Sequence, residues 1–214
     1  ARLAHTFFVT GFDAEWRALG LNAKFLPAAG DSGIEPAAPD PAYASDAAFI
    51  GTGYDASRAE LLLELARRHD VRVYGPGWER WSTELKWNGR CVEGKEFARV
   101  CSSSAVVLGI NPSRAAGGVN YTSDRTWMVM LAGAFYLGQG TAGVTQFLQD
   151  GKHCAWYTDV NDCEAKLDHY LHDPAARQRI RQDGEQFVRR NHTYDQRIVN
   201  LLSGEAWTAA SVTG

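Results

Sequence analysis

Asp46-Ala-Ala-Phe-Ile-Gly-Thr-Gly-Tyr-Asp-Ala-Ser-Arg58 is the stretch on which the fold turns. Ala47–Ile50 is apolar without alternation, as expected of a strand buried on both faces. Gly51 and Gly53 close it. Beyond them Ala59, Leu62, Leu63 and Ala66 recur at helical spacing. Strand, glycine turn and helix in that order open a parallel α/β unit.

The same alternation continues downstream. Val71–Tyr74 reads as a strand ended by Gly75-Pro76-Gly77, Lys95–Cys101 as a helix and Ala105–Ile110 as a buried strand. A helix follows over Asp124–Ala132, capped by Ser123 or Asp124 and stopped by Gly133. Phe135–Leu137 and Cys154–Tyr157 are further strands, with a short helix near Val144–Leu148 between them. Helices over Val160–His172, Pro174–Asn191 and Tyr194–Leu202 close the chain; Gly184 marks close packing or a weak point. The expected fold is α/β, a Rossmann-like parallel sheet with helices on both faces, over residues 47–202, followed by a tail over 203–214.

Upstream, residues 27–46 hold four of the seven prolines and read as a linker. Residues 1–26 read as strand, helix, strand: His5–Thr10 is β-rich, Asp13 caps a helix through Leu19, and Ala23–Leu26 is extended.

The 214 residues are 45% apolar and 22% charged, ordinary for a globular protein. A net charge of −3 argues against a nucleic-acid or membrane-surface binder. Cys91, Cys101, Cys154 and Cys163 form no C-x-x-C pair and are expected reduced and mostly buried. No run is long enough to span a membrane and no signal peptide is visible, so a cytoplasmic location is expected. The chain begins at Ala1 rather than Met, as a trimmed chain or a fragment would.

In parallel sheets ligands bind beyond the carboxyl ends of the strands, which directs attention to residues after Ile50, Tyr74, Ile110 and Leu137. The Gly51–Gly53 turn before a helix offers backbone N–H groups to an anion, and Arg58 adds a forked donor. Gly51, Gly53 and Ala56 also fit the dinucleotide pattern, but the next strand ends Tyr74-Gly75-Pro76, without the acidic residue that holds an NAD ribose. The plainer reading is a tight turn with no ligand. Gly75-Pro-Gly-Trp78 offers a rigid turn and an aromatic for a base; alternatively Trp78 and Trp81 only pack. Arg125 lies in the first turn of its helix, where a cation opposes the helix dipole; this mismatch points to a partner such as a diphosphate, the plainer reading being a solvent-exposed or carboxylate-paired arginine. His169 and His172 read as an exposed polar face before a metal site, and Arg177–Arg190 as a solvated one. No nucleophile elbow is present and no metal site is expected.

Several motifs occur in a familiar order: Ala-Phe-Ile-Gly51 then Arg58, Arg125-Thr-Trp-Met-Val-Met-Leu-Ala-Gly133, Gly143 to Phe147, Asp150-Gly-Lys-His-Cys-Ala-Trp-Tyr157, Tyr170-Leu-His-Asp-Pro174 and His192-Thr-Tyr-Asp-Gln-Arg197. In this order residues 46–202 resemble the CgeB-like group of family-1-type glycosyltransferases, which have the GT-B fold. The resemblance implies a C-terminal domain that binds a nucleotide sugar such as a UDP- or GDP-sugar, with residues 1–26 as a remnant of the acceptor domain. It implies that Gly51, Gly53, Arg58 and Arg125 meet the diphosphate. Gly75, Trp78, Met128 and the Arg90–Val92 loop would lie by base and ribose, and Asn111, Ser123, Gly140 and Gly143 by the sugar. It implies no metal and no cofactor beyond the donor substrate. Met128 stands where the family pattern has Glu, which usually holds the ribose hydroxyls, and Met accepts hydrogen bonds poorly. No catalytic residue is assigned, and the acceptor is unknown. The remainder of the acceptor domain would come from further chain or a partner subunit. The alternatives are a non-catalytic nucleotide-binding module of this fold and an NAD-dependent oxidoreductase.

Overall fold

The computed structural model describes residues 5–115 and 120–204. Residues 1–4 of the expected strand–helix–strand unit and 205–214 of the expected tail lie outside them. A six-stranded parallel sheet is built from β3 (Ser45–Ile50), β4 (Val71–Tyr74), β5 (Lys86–Trp87), β6 (Ser104–Gly109), β7 (Tyr136–Gln139) and β8 (Ala155–Tyr157). Its order is β5-β4-β3-β6-β7-β8, so the direction of winding reverses between β3 and β6.

The two central strands show why. Ala47, Ala48, Phe49, Val106, Val107 and Leu108 are all fully buried, as strands covered on both faces must be. On one face Ala47, Phe49, Val106 and Leu108 pack with α2 (Ala56–Ala66) and α6 (Val160–His172). On the other, Val107 packs with α3 (Gly94–Ser103) and α4 (Asp124–Leu131). α7 (Pro174–Asn191) reaches both clusters through Ile180 and Val188, and α8 (Tyr194–Ser203) follows. α5 (Ala142–Thr145) is a single turn.

A smaller parallel pair, β1 (Phe7–Val9) and β2 (Ala23–Phe25), flanks α1 (Asp13–Ala18). Asp13 does not cap α1. It is the first helical residue, its carboxylate engaged by Arg17 and Asn120, and Phe12 holds the cap position with φ 58°. Other readings shift: the first large-sheet strand begins at Ser45 rather than Ala47, β7 spans Tyr136–Gln139 rather than Phe135–Leu137, the short helix near Val144–Leu148 lies at Ala142–Thr145, and β5 has no counterpart in the sequence reading because two residues carry no period.

The proline-rich segment lacks helix and ladder up to Asp40 but is not loose. Pro27 to Gly30 are buried. Arg197 Nε donates to Pro27 O at 2.9 Å, Gly30 N to His192 O at 2.9 Å, and Arg189 Nη2 to Ile34 O at 3.0 Å. The C-terminal helices thus hold this crossover down.

Gly184 is a site of close packing. A Cβ there would lie 2.2 Å from His153 O and 2.8 Å from Met130 Cε. In an open helix, Gly→Ala stabilises by about 0.5–1 kcal/mol. Here Gly184→Ala should instead destabilise by about 1–3 kcal/mol. A urea midpoint unchanged or raised in the variant would contradict this packing.

Candidate functional site

The carboxyl ends of β3 and β6 diverge at the reversal of strand order, and Arg125 lies across the gap. Its Nη2 donates to Ile110 O at 2.8 Å and its Nη1 to Ile50 O at 3.3 Å. Its guanidinium carbon stands 4.7 Å from the centroid of the Phe49 ring. It lies in the first turn of α4, which Ser123 precedes in the extended cap conformation. Arg58, 8% exposed, approaches the same ring to 5.8 Å. Its Nη1 donates to Thr52 O and Thr52 Oγ1, both at 3.0 Å.

Burial lowers the pKa of Arg58, and the nearby Arg125 charge lowers it further. Neither arginine forms an ion pair among the described residues, and the Nε of each is buried without a partner. Two like charges against one ring, with only the Asp55 charge acting on Arg58 from outside ion-pair distance, favour an anion that joins them.

The glycines serve differently from expectation. Gly51 N donates to Tyr74 O at 2.8 Å and Gly53 N to Pro76 O at 2.9 Å. Their amides are therefore engaged by the neighbouring turn and do not form the anion cradle. A Cβ on Gly53 would meet Gly77 O at 2.4 Å, and one on Gly75 would meet Gly51 O at 2.4 Å. Both turns need glycine because they interlock, and Gly75 (φ 118°) and Gly77 (φ 85°) also occupy the left-handed region. A Cβ on Gly51 would lie 2.6 Å from Arg125 Nη1, so turn and guanidinium do converge.

Trp78 is likewise corrected. It is 0% exposed, with its Nε1 donating to Gly51 O at 2.9 Å, and it packs edge-on to Phe49. It props the turn from beneath and presents no face to a base. Val92 is buried with Ala48, Tyr74 and Val100, although its loop reaches the strand ends through Gly75 N to Arg90 O at 2.9 Å. Met128 sits one turn beyond Arg125, half-buried against the core. Asn111 Nδ2 donates to Gln139 O at 2.9 Å. Ser123 makes no side-chain cap bond. Gly143 packs on the Tyr121 backbone, where a Cβ would stand 2.3 Å from its N, whereas Gly140 is half-buried against Thr145.

Two contributors, Asp55 and Arg114, went unread in the sequence. Asp55 caps α2 through Ser57 N at 3.1 Å and also accepts from Ser113 N at 2.7 Å, tying the loops after β3 and β6 together. An Asp directly before a helical run was a legible cap signal. Arg114 stands 4.9 Å over the Phe12 ring, and Tyr121 lies 5.9 Å from it. Phe12 N donates to Asn120 O and Thr122 N to Thr10 O, so the β1–α1 loop is fastened to the strand that leads into α4. Between them lies a cleft of about 510 Å³ lined by Thr10, Phe12, Glu15, Trp16, Arg114 and Tyr121. No local pattern announces this long-range pairing.

Among the described residues, no three His, Cys, Asp or Glu side chains group to hold a metal ion, and no helix is long and apolar enough to cross a membrane.

Residues 58–203 match the family described as glycosyl transferase-like. No curated protein matches the sequence. Many solved structures share the fold. HepE from Anabaena, in complex with UDP and glucose, superposes with TM-score 0.73 at 10% identity, covering 95% of this chain and 64% of that one. Sucrose-phosphate synthase from Thermosynechococcus elongatus gives 0.71 at 14% identity, covering 94% and 57%. TarM from S. aureus, in a complex that includes UDP, gives 0.69 at 11% identity, covering 92% and 43%. The chain therefore spans less than two thirds of each of these three. Its six-stranded parallel sheet corresponds to the Rossmann-like C-terminal half of GT-B glycosyltransferases.

The Asp55 tether has a pH signature. The bond from Ser113 N holds its carboxyl down from 3.8 to about 2. Because the folded pKa lies below the unfolded one, the stabilisation is present above about pH 4 and lost as the pH falls towards 2. Asp55→Ala should destabilise by about 1–2 kcal/mol at pH 7. Equilibrium unfolding at pH 7 and at pH 2.5 should show the gap between variant and wild type shrinking on acidification; a constant gap would rule the tether out.

Proposed function

The chain belongs to the glycosyl transferase-like family, and from that premise we propose that its large α/β body binds the diphosphate of a nucleotide sugar, such as a UDP- or GDP-sugar, for hexosyl transfer. The observation that carries this is the Arg125 fork bridging Ile50 O and Ile110 O, beside Arg58, with neither in an ion pair among the described residues. Carbonyl bonds on two nitrogens aim the guanidinium and leave N–H groups for phosphate oxygens.

In the reaction the bond from the anomeric carbon to the diphosphate oxygen breaks and one to the acceptor oxygen forms. Negative charge gathers on the departing diphosphate. Cations fixed before the reaction stabilise it there without reorganising, the largest contribution such a site can make. The acceptor would approach through the cleft beside Phe12 and Arg114, which opens between the small β1–β2 unit and the large sheet. The general base, if one is used, is unassigned. The donor sugar and the acceptor are open, and the rest of the acceptor domain would come from further chain or a partner subunit.

Met128 favours a second reading. An apolar, half-buried side chain where the family pattern has Glu would weaken the grip on the ribose, leaving a nucleotide-binding module without turnover. Binding and turnover separate the two. Titration with UDP, GDP and their sugars should show saturable binding, stronger than that of NADH. Silence from every nucleotide at millimolar concentration would end the proposal, and preference for NADH would restore the oxidoreductase alternative. Hydrolysis or transfer of the bound sugar distinguishes enzyme from module.

Arg125→Gln should weaken UDP binding by about 2 kcal/mol, roughly thirty-fold. Arg125→Lys should recover only part of this, because a point charge lacks the fork. Calorimetry on variants with wild-type circular dichroism checks both. Equal affinity in all three proteins would remove Arg125 from the site.

A further inference from the structure

The opposite pole of the sheet carries a second polar hollow. A trough of about 590 Å³ runs along the amino ends of the strands, between the Ser102–Ser104 corner and the first turns of α7. Arg177 and Arg181, one helical turn apart, both line it and are both half-buried.

These two differ from their neighbour on the same helix. Arg189 pairs with Glu185 at 3.0 Å and Glu35 at 3.2 Å. Neither Arg177 nor Arg181 forms an ion pair among the described residues. Arg177 donates to Tyr170 O, and burial lowers the pKa of each guanidinium. The face read from sequence as merely solvated thus holds two partly desolvated cations without ion-pair contacts among the described residues, the charges of Asp173 and Glu185 offsetting only part of their burial. A charge removed from water without a partner is costly, and an anion between the two would offset that cost.

The two carboxylates of the lining are engaged away from these guanidinium groups. Asp46 accepts Asp70 N at 2.8 Å, and Asp70 pairs with Lys86 at 2.8 Å and Arg72 at 3.6 Å. The serine corner is neutral and internally satisfied. Ser103 Oγ donates to Arg99 O at 2.6 Å and accepts from Asp40 N at 2.8 Å. Ser104 Oγ donates to Val100 O at 2.9 Å and lies 3.0 Å from Ser45 Oγ.

We propose that this trough is a second anion site, in which Arg177 and Arg181 hold a small phosphate-bearing molecule between α7 and the serine corner. The volume exceeds that of a bare phosphate, leaving room for the body of an ester. The site lies at the far pole from Arg125. It is nevertheless connected to it, because Arg181 Nη2 lies 3.7 Å from the Cβ position of Gly133, directly after α4, whose first turn bears Arg125.

Calorimetric titration of the full chain with inorganic phosphate and, separately, with a hexose phosphate tests the assignment. The expected result is saturable binding that weakens at least tenfold in Arg177→Gln/Arg181→Gln, with UDP affinity within twofold of wild type. Tighter binding of the ester identifies an esterified ligand; equal binding identifies free phosphate. A folded double variant that binds both probes as the wild type does would overturn the proposal, as would no binding by wild type at tens of millimolar. If the double variant fails to fold, side-chain Nε resonances of Arg177 and Arg181 in the wild type serve instead. They should move on titration with phosphate, and stationary resonances would overturn it.

Discussion

A single cation stitches the seam at which the sheet reverses its winding. Where β3 and β6 part, the carbonyls of Ile50 and Ile110 stand at the ends of the two strands, and buried carbonyls need donors. Arg125 supplies them to Ile50 and Ile110 from one planar group. This contact fixes the angle at which α4 enters the sheet. It also brings a positive charge to the position where a parallel sheet of this order receives its ligand. Satisfying the backbone and creating the electrostatic feature are one interaction.

The surroundings keep that group in place. Phe49 lies beneath both guanidinium groups, and Trp78 stands edge-on to Phe49 while holding Gly51 O. At the other side of α4, Trp127 stacks on His192 at 4.4 Å, and Arg197 Nη2 reaches His192 Nδ1 at 2.7 Å. Burial drives the pKa of His192 down to about 2, so this ring is neutral and behaves as an aromatic plate. The chain's last described helices therefore clamp both α4 and the proline-rich crossover, so residues distant in sequence set the orientation of one side chain.

The fold was legible wherever a local pattern had a long run. The apolar strands Ala47–Ile50 and Ala105–Ile110 and the helices over Val160–His172 and Pro174–Asn191 announced themselves by period and length. Arg125 was legible as an electrostatic misfit in a helix's first turn. The glycine amides were misread, because a strand–glycine–helix sequence looks the same whether its N–H groups face a ligand or a second turn. What distinguishes the cases is the partner turn at Gly75–Trp78, a tertiary fact. Arg114 over Phe12 and the pairing of Gly11 with Tyr121 were invisible for the same reason. Composition also hid the uneven spread of charge: a chain of net charge −3 gathers partly buried guanidinium groups at both poles of its sheet.

The dovetailing of the Gly51–Gly53 and Gly75–Gly77 turns bears on how this protein can change. A Cβ on one turn would strike the main chain of the other, and no rotamer relieves a main-chain collision. Neither loop can be remodelled while its counterpart stays as it is. Among descendants of this chain the two loops are therefore constrained to drift as a pair. Variety in what the protein recognises should arise first in segments outside that joint, such as the stretch around Arg114.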